Sequence, residues 1–319
     1  MSNNEICDII KRNRPKVSAS TISTYCSRIR NLSKAMGINI KSKKDIIKRY
    51  EDILKHLETY NINNRKTILS SLIVVVDDKA ERKYKGQDKC LEKLRMRMDA
   101  DLKVVKKKDK NQELTASQKE NYIPWKKVLE IYDELEKLIK PIFKKKGMTL
   151  DERVIVQKYV ILSLYVLLPP RRIKDYLDVK VKGVNKEKDN WIKGGKNPQF
   201  YFNSYKNGTK LGVQIIDIPV KLWDILKTWL YDHRNTYLIH NSAFKRAAPS
   251  FITKVLNGLF DAKISVSLLR HIYLTEKFGG VDLNDLKEIT TKMGNSEVER
   301  SLAYVSKEHA KEEKKKEDE

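Results

Sequence analysis

The sequence predicts a mainly α protein with a small antiparallel β-sheet, an α+β chain in two folded parts. Three observations lead there. Apolar residues recur at helical spacing through most of the chain, and one pair of strand-like runs interrupts them. A long charged stretch separates an N-terminal helical group from a larger C-terminal one.

Residues 1–16 are polar and read as an N-terminal extension. Residues 17–80 read as a compact helical domain. Ser18 or Ser20 can cap a helix whose apolar positions are Ile22, Tyr25, Ile29 and Leu32, and Gly37 ends it. A second helix carries Ile46, Ile47, Tyr50, Ile53, Leu54 and Leu57. A third carries Ile68, Leu69, Leu72, Ile73 and Val76. Arg28, Arg30, Lys43 and Lys44 stand off these apolar faces and are candidate contacts to a polyanion. Residues 81–121, dominated by Lys, Arg, Asp, Glu and Gln, read as a charged helix and linker.

A second domain is expected over 122–305. Val128, Tyr132, Leu135 and Ile139 mark an amphipathic helix, and 150–168 a buried one stopped by Pro169-Pro170. Strands over 199–202 and 213–218 flank Lys206-Asn207-Gly208-Thr209, where Asn-Gly signals a tight hairpin. Helices are expected over 221–231, 243–260, 268–278, 282–292 and 298–305. The tail, 306–319, is a run of Lys and Glu without core residues.

Composition narrows the function. Lys+Arg 66 against Asp+Glu 42 leaves a net charge of +24, which favours a polyanionic partner, because each phosphate neutralised releases condensed counterions. Cys7, Cys26 and Cys90 form no CxxC pair, so neither a zinc ribbon nor a disulfide framework is expected, and a reducing compartment fits. The five histidines lack metal-ligand spacing, and no phosphate loop of the P-loop type occurs, so no cofactor and no metal are expected. The most apolar run, 154–168, contains Gln157 and Lys158 and is too short to span a bilayer. No membrane partner is expected. The N-terminus has no secretory pattern, so an intracellular setting is expected.

Four segments of the second domain carry candidate chemistry. They are Pro169-Pro170-Arg171-Arg172-Ile173-Lys174-Asp175; the turn Ser204-Tyr205-Lys206-Asn207-Gly208; Ser267-Leu268-Leu269-Arg270-His271 running to Thr275; and Gly294-Asn295 with Tyr304 ten residues after the glycine. In order and spacing this set resembles the catalytic boxes of the tyrosine recombinases, the phage-type integrase family. The lysine-rich character and the 118–125 entry to the second domain look like integrases of viruses and virophage-like elements. The host cytoplasm, a virus factory or the nucleus would then be the setting.

The resemblance implies a helical core-binding domain, over 17–80, and a catalytic domain that together clamp double-stranded DNA, with a homotetramer on two DNA sites. It implies cleavage and rejoining through a 3′-phosphotyrosyl link on Tyr304, without metal or ATP. Arg172 takes the position of the first catalytic arginine, with Asp175 buttressing it, and Arg171 is the fallback and a DNA contact. Lys206 takes the turn-lysine position, with Lys210 as competitor and DNA contact, and Arg270 is the second catalytic arginine. The chain departs from the pattern twice: Ser267 and Asn295 stand where histidines are usual. Two alternatives stay open at this stage, a type IB topoisomerase-like nicking-sealing enzyme and a DNA-binding relative that has lost cleavage.

Overall fold

A computed structural model of the chain describes residues 4–80, 83–111, 114–145, 147–231, 235–278 and 292–293. It divides into two compact units, Met1–Asp109 and Lys110–Glu319.

The first unit is helical: α1 (Asn4–Asn13), α2 (Ala19–Ala35), α3 (Lys43–Leu57), α4 (Ile62–Val76) and the first turns of α5 (Gln87–Asn111). Helix α4 is the centre, with α1, α2 and α3 packed on it. Its last five residues, Leu72 to Val76, are apolar without a break and buried throughout, which only an all-round covered helix permits. Ser18 is the cap of α2, accepting the Thr21 N–H, and Gly37 ends the helix at φ +63°. Ser42 and Asp45 form a capping box at the start of α3.

The compact unit is larger than the expected 17–80. Residues 4–13 are a helix, not an extension: Ile6, Ile9 and Ile10 lie in the core, on an i, i+3, i+4 stripe. Cys90, Leu91 and Leu94 of α5 belong to the same core, so the charged 81–121 stretch begins as a packed helix. Cys7 and Cys26 form a disulfide between α1 and α2, with 5.6 Å between their Cα atoms, where no pairing was expected from the sequence. Cys90 is a buried thiol pushed up to about 12 by desolvation.

Lys43 requires a correction too. It is fully buried, its Nζ donating to the Asp78 carbonyl at 2.9 Å and lying over the Tyr84 ring, so it closes the core and is no surface contact. Lys44 and Arg30 are exposed and Arg28 half-buried.

The second unit contains α6 (Ala116–Glu120), α7 (Trp125–Phe143), α8 (Leu150–Val166), α9 (Ile173–Leu177), β1 (Val179–Lys180), β2 (Asn190–Lys193), β3 (Gln199–Phe202), α10 (Gly208–Leu211), β4 (Gln214–Asp217), α11 (Val220–Tyr231), α12 (Pro249–Phe260) and α13 (Val266–Phe278). Helix α8, capped by the Thr149–Glu152 box, is the buried axis against which α7, α11 and α12 pack. Among the described residues no helix is long and apolar enough to cross a membrane.

The sheet has the order β1-β2-β3-β4 and is mixed, not purely antiparallel: β1 and β2 run parallel, the other pairs antiparallel. Strands β1 and β2 had no signature in the sequence; two and four residues are too few for a readable alternation. Phe200 and Phe202 point into the core, while Tyr201 stacks on Trp191 across the other face at 4.4 Å. Helix α12 begins at Pro249 rather than 243. The preceding residues form a loop in which Asn241 accepts the Ala243 and Lys245 N–H groups and Phe244 adopts φ +58°. The helices expected over 282–292 and 298–305 lie almost wholly outside the described residues.

The β3–β4 connection is not a tight Asn-Gly turn. Phe202 pairs with Gln214, leaving residues 203–213 as an eleven-residue loop that contains α10. A type I′ turn needs positive φ at both central residues, and Asn207 has φ −107°. The left-handed residue is Gly212, at φ +68°, which returns the chain to β4.

The first unit has a strong polar anchor between α4 and α5. Arg65 and Asp101, both buried, join α4 to α5 through two 2.7 Å hydrogen bonds. Removing Asp101 leaves the buried Arg65 only longer contacts, with Glu58 and the Tyr60 carbonyl at 3.4 Å, so Asp101→Ala should destabilise this unit by about 3 kcal/mol. All four tryptophans lie after residue 124, so the loss should appear as a helical circular-dichroism transition at lower urea, with the tryptophan-fluorescence transition unmoved.

Candidate functional site

The polypeptide leaves α8 at Leu167 and turns through Pro169-Pro170, which cannot continue a helix, into Arg171 and Arg172. Arg172 is the N-cap of the short helix α9, with extended backbone. The two arginines, adjacent in sequence, have opposite environments.

Arg171 is buried, 1% exposed. Its guanidinium pairs with Asp175 at 3.1 Å, donates to the Gln214 side chain at 2.7 Å and to the Lys292 carbonyl at 2.6 Å, and lies 3.9 Å from the centre of the Phe202 ring. The Tyr205 ring is 5.2 Å away. One planar cation thus joins α9, strands β3 and β4, the lysine-bearing loop and the residue two places before Gly294.

Asp175 pairs with Arg171, not with Arg172 as its spacing suggested. An i+4 partner on the same turn displaces the i+3 one because Arg171 is the arginine that points inward. Burial pushes the Asp175 carboxyl above its ordinary range, opposed by the charges of Arg171, Arg172 and Arg270. Burial likewise lowers Arg171, opposed first by Asp175. The charges of Arg172 and Arg270 are thus felt at the carboxylate that Arg171 holds.

Arg270 is on α13, 3% exposed, and its charge also reaches Tyr165 of α8. Thr275, further along the helix, is buried. Ser267, in the first turn, is exposed and His271 is half-buried. Arg172 is half-buried. Lys206 and Lys210 are exposed, on the loop and on α10. Asn295 and Tyr304 lie outside the described residues; Met293, just before Gly294, is fully buried in the core of the unit.

The tyrosines around the arginines are poor nucleophiles. Desolvation raises the phenols of Tyr165, Tyr176 and Tyr205 above their ordinary value, and the Tyr205 hydroxyl donates to the Gly212 carbonyl at 2.8 Å. Among the described residues there is no group of His, Cys, Asp and Glu able to hold a metal.

No family model and no curated protein matches the chain. Solved structures do. It is similar to the Tn1549 transposon integrase (residues 82–397, in complex with circular intermediate DNA) at TM-score 0.52 and 14% identity, over 97% of this chain and 99% of that one. It also matches XerA recombinase at TM-score 0.43 and 14% identity, over 98% of both chains. The chain has the fold of a tyrosine recombinase.

Within the recombinase fold, two assignments made from the sequence change. Arg171 and Lys43 are buried structural cations, not DNA contacts. Sequence reasoning also missed Asn190 and Gln214, buried amides that bind α9, the loop and Arg171. Their signal was faint: each opens a short strand as a polar residue where the alternation leaves a core position.

The arginines should separate experimentally. Arg171→Ala strands a buried carboxylate and should shift the tryptophan-fluorescence unfolding transition by about 3–5 kcal/mol. Arg172→Ala should shift it by less than about 1 kcal/mol. Urea titration of the two variants measures both.

Proposed function

We propose that this chain is a DNA strand-breaking and rejoining enzyme, a site-specific recombinase or integrase. The observation that carries the reading is the cluster at the head of α9: Arg172 caps the helix, and Arg171, paired with Asp175 at 3.1 Å, joins it to the loop bearing Lys206 and to a chain segment leading to Tyr304. The fold, the net charge of +24 and the DNA bound to the Tn1549 integrase support it.

The chemistry follows from the groups. Forming a phenolate at neutral pH costs roughly 4 kcal/mol, and an anionic phosphodiester repels it. Two guanidiniums on the nonbridging oxygens offset both penalties, because they stay charged and bind through paired N–H donors. They favour the charge-rich pentavalent transition state over the ground state. The Tyr304 oxygen bonds to phosphorus, its proton passes to solvent, and the bond to the 5′-oxygen breaks. Lys206 gives that oxygen a proton. The 3′-phosphotyrosyl link conserves the bond energy, and a 5′-hydroxyl from a second strand reverses the step. Ser267 and Asn295 can hydrogen-bond a phosphate oxygen but do not shuttle protons near neutral pH, which leaves that work to Lys206. Strand exchange between two DNA sites would be carried out by a homotetramer. Arg30, Lys44 and Lys210 serve as exposed backbone contacts.

Covalent trapping tests the reading. The chain is incubated with nicked duplexes drawn from the ends of its own genetic element, denatured and digested for mass spectrometry. DNA on the Tyr304 peptide, absent from Tyr304→Phe, is the expected outcome. Plasmid relaxation without strand exchange would select a nicking-sealing enzyme instead, and salt-sensitive binding without any adduct would select a DNA-binding relative without cleavage.

A further inference from the structure

We propose that Asn190 is a positioning residue, one carboxamide that sets the place of Lys206 relative to Arg172. The proposal rests on the recombinase reading above for the role of the lysine; the clamp itself rests on geometry alone.

Asn190 opens β2 and is 1% exposed. Both amide hydrogens are used: Nδ2 donates to the Asp175 carbonyl at 3.1 Å and to the Ser204 carbonyl at 3.0 Å. Its Oδ1 accepts the Ser204 N–H at 2.8 Å. The residue therefore binds the backbone of Ser204 on both sides, as a strand partner would, and joins it to α9. The Asp175 carbonyl is among the last of that helix, where no intrahelical partner exists, so the bond to Asn190 also satisfies an orphan acceptor.

Position gives this contact its meaning. Ser204 is two residues before Lys206, at the root of the 203–213 loop, and Asp175 is three residues after Arg172. Asn190 thus links the α9 backbone directly to the backbone of the loop, alongside the aromatic contact that Arg171 makes with Tyr205. Neighbouring contacts fix the rest of the loop. Asn203 donates to the carbonyls of Lys186 and Asp189, and the Tyr205 hydroxyl bonds Gly212 across the loop. None of these reaches α9; Asn190 does. Only a carboxamide fits, since a carboxylate there would face two carbonyl oxygens and offer no donor. The cost of displacing a reacting group by about 1 Å is on the order of 10²-fold in rate.

A merely structural residue would slow every reaction of the site, whereas a residue that positions the proton donor slows only reactions that need the proton. The test compares full-length parent, Asn190→Ala and Asn190→Asp on two nicked duplexes of identical sequence, the one that gives the adduct above. One has the normal bridging 5′-oxygen and the other a bridging 5′-sulfur, which leaves as thiolate without protonation. Trypsin nicking after Lys206 is followed in parallel, with no DNA present.

The expected result is ~10²-fold slower cleavage of the oxygen duplex by both variants. Parental rates on the sulfur duplex and faster nicking after Lys206 are expected with it. Equal slowing on both duplexes would overturn the proposal, as would parental rates on the oxygen duplex. If the parent cleaves neither duplex, the recombinase reading fails; unchanged nicking after Lys206 would then, or in any case, overturn the clamp as well.

Discussion

A buried guanidinium must find enough partners to offset the water it gives up, and Arg171 finds them in three parts of the second unit at once. A carboxylate from α9, an amide from β4, a carbonyl at Lys292 and an aromatic face from β3 surround it. No subset would serve, because each missing partner leaves charge or polarity unpaired in a dry site. The arrangement of α9, the sheet and the chain before Gly294 is therefore one constraint. The short elements nearby, a five-residue helix and strands of two to four residues, are too small to hold position by their own hydrogen bonds.

That constraint explains a division of labour between adjacent arginines. The Pro-Pro turn and the change from extended to helical backbone send Arg171 inward and leave Arg172 half-buried at the head of α9. Asp175 is held by the inner arginine and also feels the outer one and Arg270. A carboxylate so placed offsets part of the repulsion among the like charges it feels.

Much of this was legible in the sequence. Ile29, Leu32, Ile53, Leu57 and Leu72 repeat at helical spacing, and all are core residues. The Pro-Pro stop after the buried helix was legible too: α8 ends at Val166 and the chain turns before Arg171. What was not legible depended on tertiary partners. Arg171 and Arg172 carry the same side chain, and only the direction of the turn decides which is buried. Lys43 sits in a run of lysines, and its burial follows from the Asp78 carbonyl, 35 residues away. The Asn-Gly pair reads as a hairpin because local propensity favours one. Anchoring by Asn190 and Tyr205 instead holds a longer loop with its reversal at Gly212. Helix α1 had a signal, in Ile6, Ile9 and Ile10, but its polar flanks obscured it.

The central claim is that Arg171 ties separate parts of the site into one unit. Hydrogen–deuterium exchange on Arg171→Met, against the parent chain, tests it most directly. Protection should fall together over 172–178, over 203–214 and at Met293, with α7 unchanged. A loss confined to 171–175, with the loop and Met293 as protected as before, would contradict the account.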